Sequence, residues 1–134
     1  MAAGGWIKPV LQIHEIVIDA LDPPALARFW AAALHGYVVR PYDEAEVARL
    51  AAMGRTPDTD PAVALDGPGT TIFFQETTEP KTGRNRLHLD LIGGSRASEV
   101  ERLCALGASV RDERETYSVL RDPEGNEFCV LDPQ

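Results

Sequence analysis

The chain has 134 residues and a mass of 14.6 kDa, room for one domain spanning residues 1–134. Thirteen Lys and Arg residues against 21 Asp and Glu give a formal net charge of −8, the wrong sign for a surface that tracks nucleic-acid phosphates. There is no apolar run of about 18 residues to span a membrane. Residues 1–9 lack the basic and apolar regions of a secretory leader, and the two cysteines, Cys104 and Cys129, form no CxxC pair. The expectation is a cytoplasmic protein with reduced thiols, binding neither nucleic acid nor membrane.

Ile13–Leu21 is short and β-branched, which predicts a strand. Asp22-Pro23-Pro24 then supplies a capping carboxylate and a proline fit for a first helical turn. Leu26, Phe29, Trp30, Ala33 and Leu34 recur at helical spacing until Gly36, so Phe29 and Trp30 belong to a buried stripe. Tyr37–Arg40 reads as a strand and residues 43–53 as a second helix. Ala62–Leu65 and Thr70–Glu76 read as strands joined by the turn cluster Asp66-Gly67-Pro68-Gly69.

A loop from Thr77 to Asn85 carries Lys81 and Arg84, and with Arg86 these read as a solvated basic tip. Arg86–Ile92 alternates, placing His88 and Asp90 on one face and Leu87, Leu89 and Leu91 on the other, toward the helices. Gly93-Gly94-Ser95 breaks it. A helix beginning near Ser95 carries Val100, Leu103 and Cys104, with Ser98 and Glu101 spaced as a capping box and Cys104 read as core. Ser109–Arg111, Tyr117–Leu120 and Glu127–Leu131 complete the strands, the last after the turn Asp122-Pro-Glu-Gly-Asn126.

The order strand–helix–strand–strand–strand thus occurs twice, in a module of about residues 10–78 and another of about 85–132. The helix exits Ala-Leu-His-Gly-Tyr-Val-Val-Arg and Ala-Leu-Gly-Ala-Ser-Val-Arg match. Units of roughly sixty residues bury little core alone, so the two should pack together. The fold class expected is α+β: two βαβββ modules forming a curved eight-stranded mixed sheet around a cavity, helices on its outer face.

This pattern resembles the glyoxalase/bleomycin-resistance group, the vicinal oxygen chelate superfamily, and most of all its glyoxalase-like domain branch. The likeness rests on Asp22–Trp30, Arg86-Leu-His-Leu-Asp90, Leu106-Gly-Ala108 and Asp122–Cys129, and runs from about Leu11 to Leu131. It implies a site on the first, fourth, fifth and eighth strands and a homodimer. His88 matches the fifth-strand histidine. Cys129 takes the usual place of the eighth-strand glutamate, with Glu127 one pleat, about 7 Å, earlier. Gln75 or Glu76 falls at the fourth-strand position, Gln75 the better match. His14 and Glu15 compete for the first, on opposite faces.

The cavity lining expected is therefore His88, Asp90, Gln75, Glu127 and Cys129, with His14 or Glu15 at the rim. No clean His/Glu set emerges, so the expectation is metal-independent binding of a metabolite or drug, with no cofactor. The alternative is a metal-dependent lyase, transferase or dioxygenase, with His14, His88 and Glu127 as the best ligand set, or Cys129 on zinc. A standard glyoxalase I is the poorest match, because Gln75 and Cys129 replace carboxylates. No phosphate loop, Ser–His–Asp order or zinc-type cysteine pair is present.

Overall fold

The computed structural model describes residues 7–134, so residues 1–6 of the segment read above for a leader lie outside the described residues. The first unit comprises β1 (Glu15–Ala20), α1 (Pro23–Ala33), β2 (Val38–Val39), α2 (Glu44–Ala52), one 3-10 turn (Pro57–Thr59), β3 (Ala62–Asp66) and β4 (Thr71–Glu76). The second comprises β5 (Asp90–Leu91), α3 (Arg96–Leu106), β6 (Ser109–Glu113), β7 (Tyr117–Arg121) and β8 (Glu127–Leu131). The expected repeat is present as two four-stranded mixed sheets, ordered β1-β4-β3-β2 and β5-β8-β7-β6. Each pairs its first strand parallel to its last and the others antiparallel.

The helix starts follow from their caps. Asp22 accepts a hydrogen bond from the Ala25 amide, and the prolines sit where no intrahelical donor is needed. In α3 the cap is Ser95, whose hydroxyl accepts from the Ser98 amide at 3.3 Å. The Ser98/Glu101 capping box does not form; the cap lies three residues earlier, at Ser95, and makes this single bond. Gly93 and Gly94, both at positive φ, end β5 early enough for Ser95 to stand in extended conformation before Arg96. Cys104 is a second correction: it is exposed, because α3 buries a narrow seam centred on Leu103 with Val100 beside it.

Alternation along the strands puts Val63, Leu65, Ile72 and Phe74 of the first sheet and Leu120, Phe128 and Val130 of the second into one core with α1. Trp30 of α1, 2% exposed, is the joint between the units. Its ring meets Phe128 edge-on at 4.9 Å between centroids, and Phe29 at 5.3 Å. Its indole N–H donates to Asp122 Oδ2 at 3.0 Å.

Asp122, 4% exposed, also accepts from the amides of Glu124 and Asn126 and from the Asn126 side chain, each at 2.9 Å. Gly125, at φ 88°, lets the turn fold back. The Glu124 carboxylate then reaches the amides of Leu21 and Asp22 at 2.7 and 3.0 Å. The 122–126 turn therefore grips the β1–α1 junction of the other unit. From α3, Arg102 donates to the Ala32 and Ala33 carbonyls at the end of α1, which lack helical partners.

Trp30→Phe should cost about 1–3 kcal/mol for the carboxylate left short of a donor, plus a loss from the smaller ring. Arg40→Ala, which breaks the exposed pair with Asp66, should cost about 0–1 kcal/mol. Urea unfolding of both variants checks the contrast.

Candidate functional site

The regular part of β5 is only two residues long, shorter than the alternation of residues 86–92 predicts. Asn85 causes the difference. Its amide group donates to the Leu87 carbonyl and accepts from the Glu127 amide, so local side-chain bonds replace a strand ladder at residues 85–88. The Leu89 carbonyl still accepts from the Cys129 amide at 2.9 Å. Leu89 and Leu91 accordingly pack on the core, whereas Leu87 is 67% exposed, against the expectation that all three lie under the helices.

On β8, Phe128 and Val130 point into the core and Glu127, Cys129 and Leu131 to the opposite face. The parallel register sets Asp90 directly beside Cys129. His88 Nδ1 lies 3.0 Å from Asp90 Oδ1. A donor atom from each of His88, Asp90 and Cys129 falls within 4.8 Å of the other two, and among the described His, Cys, Asp and Glu side chains this is the one such group of three.

These side chains line a cavity of about 370 Å³ together with Arg84, Arg111, Tyr117 and Glu127. Arg111 and Arg114, which also reaches it, were missed by the sequence reading. Their signal was the run of charges along β6, where the pairing with β7 slips at Val110/Asp112 and re-aims the side chains. Arg84 was read as solvated tip, yet it lines the cavity.

Glu127 is the best-anchored charge. Its carboxylate accepts from the Asn85 amide at 2.8 Å, with Lys81 at 3.6 Å and Arg111 at 3.3 Å. The backbone donor first, and then the two cations, hold its pKa below the ordinary carboxylate value. Lys81 therefore belongs to this tie and not to a solvated tip. Cys129 behaves oppositely: burial first, then the neighbouring Asp90 charge, push its thiol pKa upward.

The first-unit candidates do not join this group. Glu15 opens β1, and His14 precedes it with a side chain 94% exposed, its Nε2 3.5 Å from Glu15 Oε1. Gln75 lies on β4 opposite Asp19 of β1, exposed. Of the seven candidates, His88, Asp90, Glu127 and Cys129 line the cavity, whereas Gln75, Glu15 and His14 do not.

A family model described as a glyoxalase-like domain matches residues 15–131. The chain belongs to that family. No curated protein sequence matches it. Among solved structures, a glyoxalase/bleomycin resistance protein/dioxygenase family enzyme from Burkholderia phytofirmans PsJN is 18% identical, covers 90% of this chain and 97% of its own, and has a TM-score of 0.63. The fosfomycin resistance protein FosX from Listeria monocytogenes, solved with Mn(II) and a dihydroxypropylphosphonic acid, is 14% identical over 94% of this chain and 93% of its own, with a TM-score of 0.65. Glyoxalase I of Leishmania major is 17% identical over 92% of this chain and 87% of its own, with a TM-score of 0.62. At such identities the likeness is one of fold.

The four-strand metal set that this resemblance implies does not fit the geometry. Gln75 and Glu15 stand outside the cavity that holds His88 and Cys129, and Glu127 is taken up by Asn85, Lys81 and Arg111.

Because the folded pKa of Glu127 is depressed, its stabilisation is full above the unfolded carboxylate pKa of about 4.3 and fades as pH falls through the folded value. The stability gap between wild type and Glu127→Gln should therefore be largest near neutral pH and close in acid. Unfolding curves across that range give the check.

Proposed function

We propose that this glyoxalase-like domain binds a small metabolite or drug in the cavity over β5, β8 and β7, and holds it with its own side chains rather than through a four-strand metal. The observation that carries the reading is the cavity's make-up. Val119 and Leu131 supply apolar wall, and His88, Asp90, Arg111 and Tyr117 supply polar groups around it. His88, Asp90 and Arg111 are about half exposed, so they can exchange water for the polar groups of a ligand. The volume of about 370 Å³ falls in the range of small-molecule sites.

The enzyme reading, a metal-dependent lyase, transferase or dioxygenase, draws on one observation, the convergence of His88, Asp90 and Cys129. For assembly we propose a homodimer. Val10, Leu11, Ile13 and Leu87 are 84%, 95%, 76% and 67% exposed, apolar surface that a second copy would cover. No helix among the described residues is long and apolar enough to cross a membrane, and the reading places the domain in a reducing, cytoplasmic setting.

Thermal-shift screening of metabolites and antibiotics in chelator, followed by calorimetry of the hits, tests the binding reading. His88→Ala and Tyr117→Phe should weaken a hit at least tenfold while moving the melting point little, His88 being half-exposed. Hits that bind both variants as tightly as wild type would overturn the cavity assignment. Sedimentation should give a species of twice the 14.6 kDa chain mass.

A further inference from the structure

The cavity carries the opposite charge balance from the chain around it. Over the whole chain acidic residues outnumber Lys and Arg, 21 to 13. The cations Arg84, Arg111 and Arg114 line the cavity, with Lys81 tied to it, and they meet the carboxylates of Asp90, Asp112 and Glu127. With His88 counted neutral, as in the chain total, one positive charge is left over. Lys81 and Arg111 flank Glu127 at 3.6 and 3.3 Å, and Arg114 holds Asp112 at 2.8 Å. Asp90 lies against His88 at 3.0 Å. Among the described residues Arg84 makes no ion pair, so the excess charge is its own.

The backbone beside Arg84 is held on both sides. The Lys81 ammonium donates to the Gly83 carbonyl and reaches Glu127, and the Asn85 amide donates to the same carboxylate at 2.8 Å. An exposed side chain on a loop tied down in this way loses less freedom when a ligand arrives.

We propose that Arg84 binds the carboxylate of a small organic anion of single charge, whose body lies against Val119 and Leu131. The proposal rests on the cavity reading and names the ligand class of that site.

The charge balance decides between anions. One cation in excess matches the single charge of a carboxylate. A phosphate monoester carries about two negative charges at neutral pH, and the second would meet Glu127, Asp112 and Asp90 with no free cation to answer it. Geometry agrees, because the planar guanidinium fork matches a carboxylate through two parallel hydrogen bonds. The volume of about 370 Å³ leaves room beyond the carboxylate for a ring or a branched chain.

The test titrates full-length protein with benzoate, benzamide and phenyl phosphate, which share a ring and differ in charge, by calorimetry at low salt. Chelator in the buffer keeps an adventitious metal from carrying the anion. Benzoate should bind about tenfold or more tighter than benzamide, and tighter than phenyl phosphate, with an affinity that falls as sodium chloride rises from about 20 to 200 mM. Arg84→Gln should weaken benzoate about tenfold, toward the level of benzamide, and Arg84→Lys should recover part of the loss. Arg86→Gln removes the same charge from an exposed residue that does not line the cavity, and should change nothing. Arg84 being exposed, the melting curves of its variants should match wild type. No benzoate binding, benzamide or phenyl phosphate bound as tightly as benzoate, or equal effects of Arg84→Gln and Arg86→Gln would overturn the proposal. Neutral hits from the small-molecule screen that depend on His88 and Tyr117 would still uphold the cavity reading, so the two fail separately.

Discussion

The hydrogen bond from the Trp30 indole to the buried Asp122 carboxylate is the constraint on which the rest of this molecule depends. A carboxylate that is almost wholly buried is tolerable only with its acceptor positions filled, and here Trp30 and the 122–126 turn fill them. The donor comes from the first unit and the acceptor from the second. Misplacing either unit would strand a charge in the core, so the bond specifies their relative placement more sharply than apolar contact could. The edge-on packing of Trp30 with Phe128 adds the apolar half of the same joint.

That joint also sets the starting point of β8. The turn closed by Asp122 ends at Asn126, and Glu127, Cys129 and Leu131 then leave on the face away from the core. Since β8 is bonded to both β5 and β7, Cys129 sits on a central strand, while the side chains of His88 and Asp90 beside it are half exposed. A rigid central strand flanked by an irregular approach is a useful arrangement for a ligand site. The fixed element provides geometry, and the short β5 with its Asn85 ties provides adjustment.

Charge is distributed with the same logic. The chain is strongly acidic overall, yet Arg84, Arg111 and Arg114 gather at the cavity. Arg111 and Arg114 neutralise Glu127 and Asp112 there, which leaves the polar character of the floor to His88, Asp90 and Cys129.

The amino-acid sequence by itself determined the elements and their repetition, because caps, glycine stops and alternating patterns are local and act within a few residues. Asp22 and the periodicity of Leu26, Phe29 and Trp30 mark α1 locally, although it ends at Ala33, ahead of Gly36, with its last carbonyls met by Arg102 of α3. His88, Asp90, Glu127 and Cys129 were also legible as residues of one face. What the sequence could not determine was which faces meet. Gln75 and Glu15 share the pattern of cavity residues, yet neither lines the cavity with His88 and Cys129, a matter of packing between units rather than of spacing. The displaced cap of α3, the exposed Cys104 and the shortened β5 were likewise decided in three dimensions. In each case a contact distant in sequence, or a side-chain bond such as those of Asn85, outcompeted the local pattern, and only the tertiary structure determines which bonds compete.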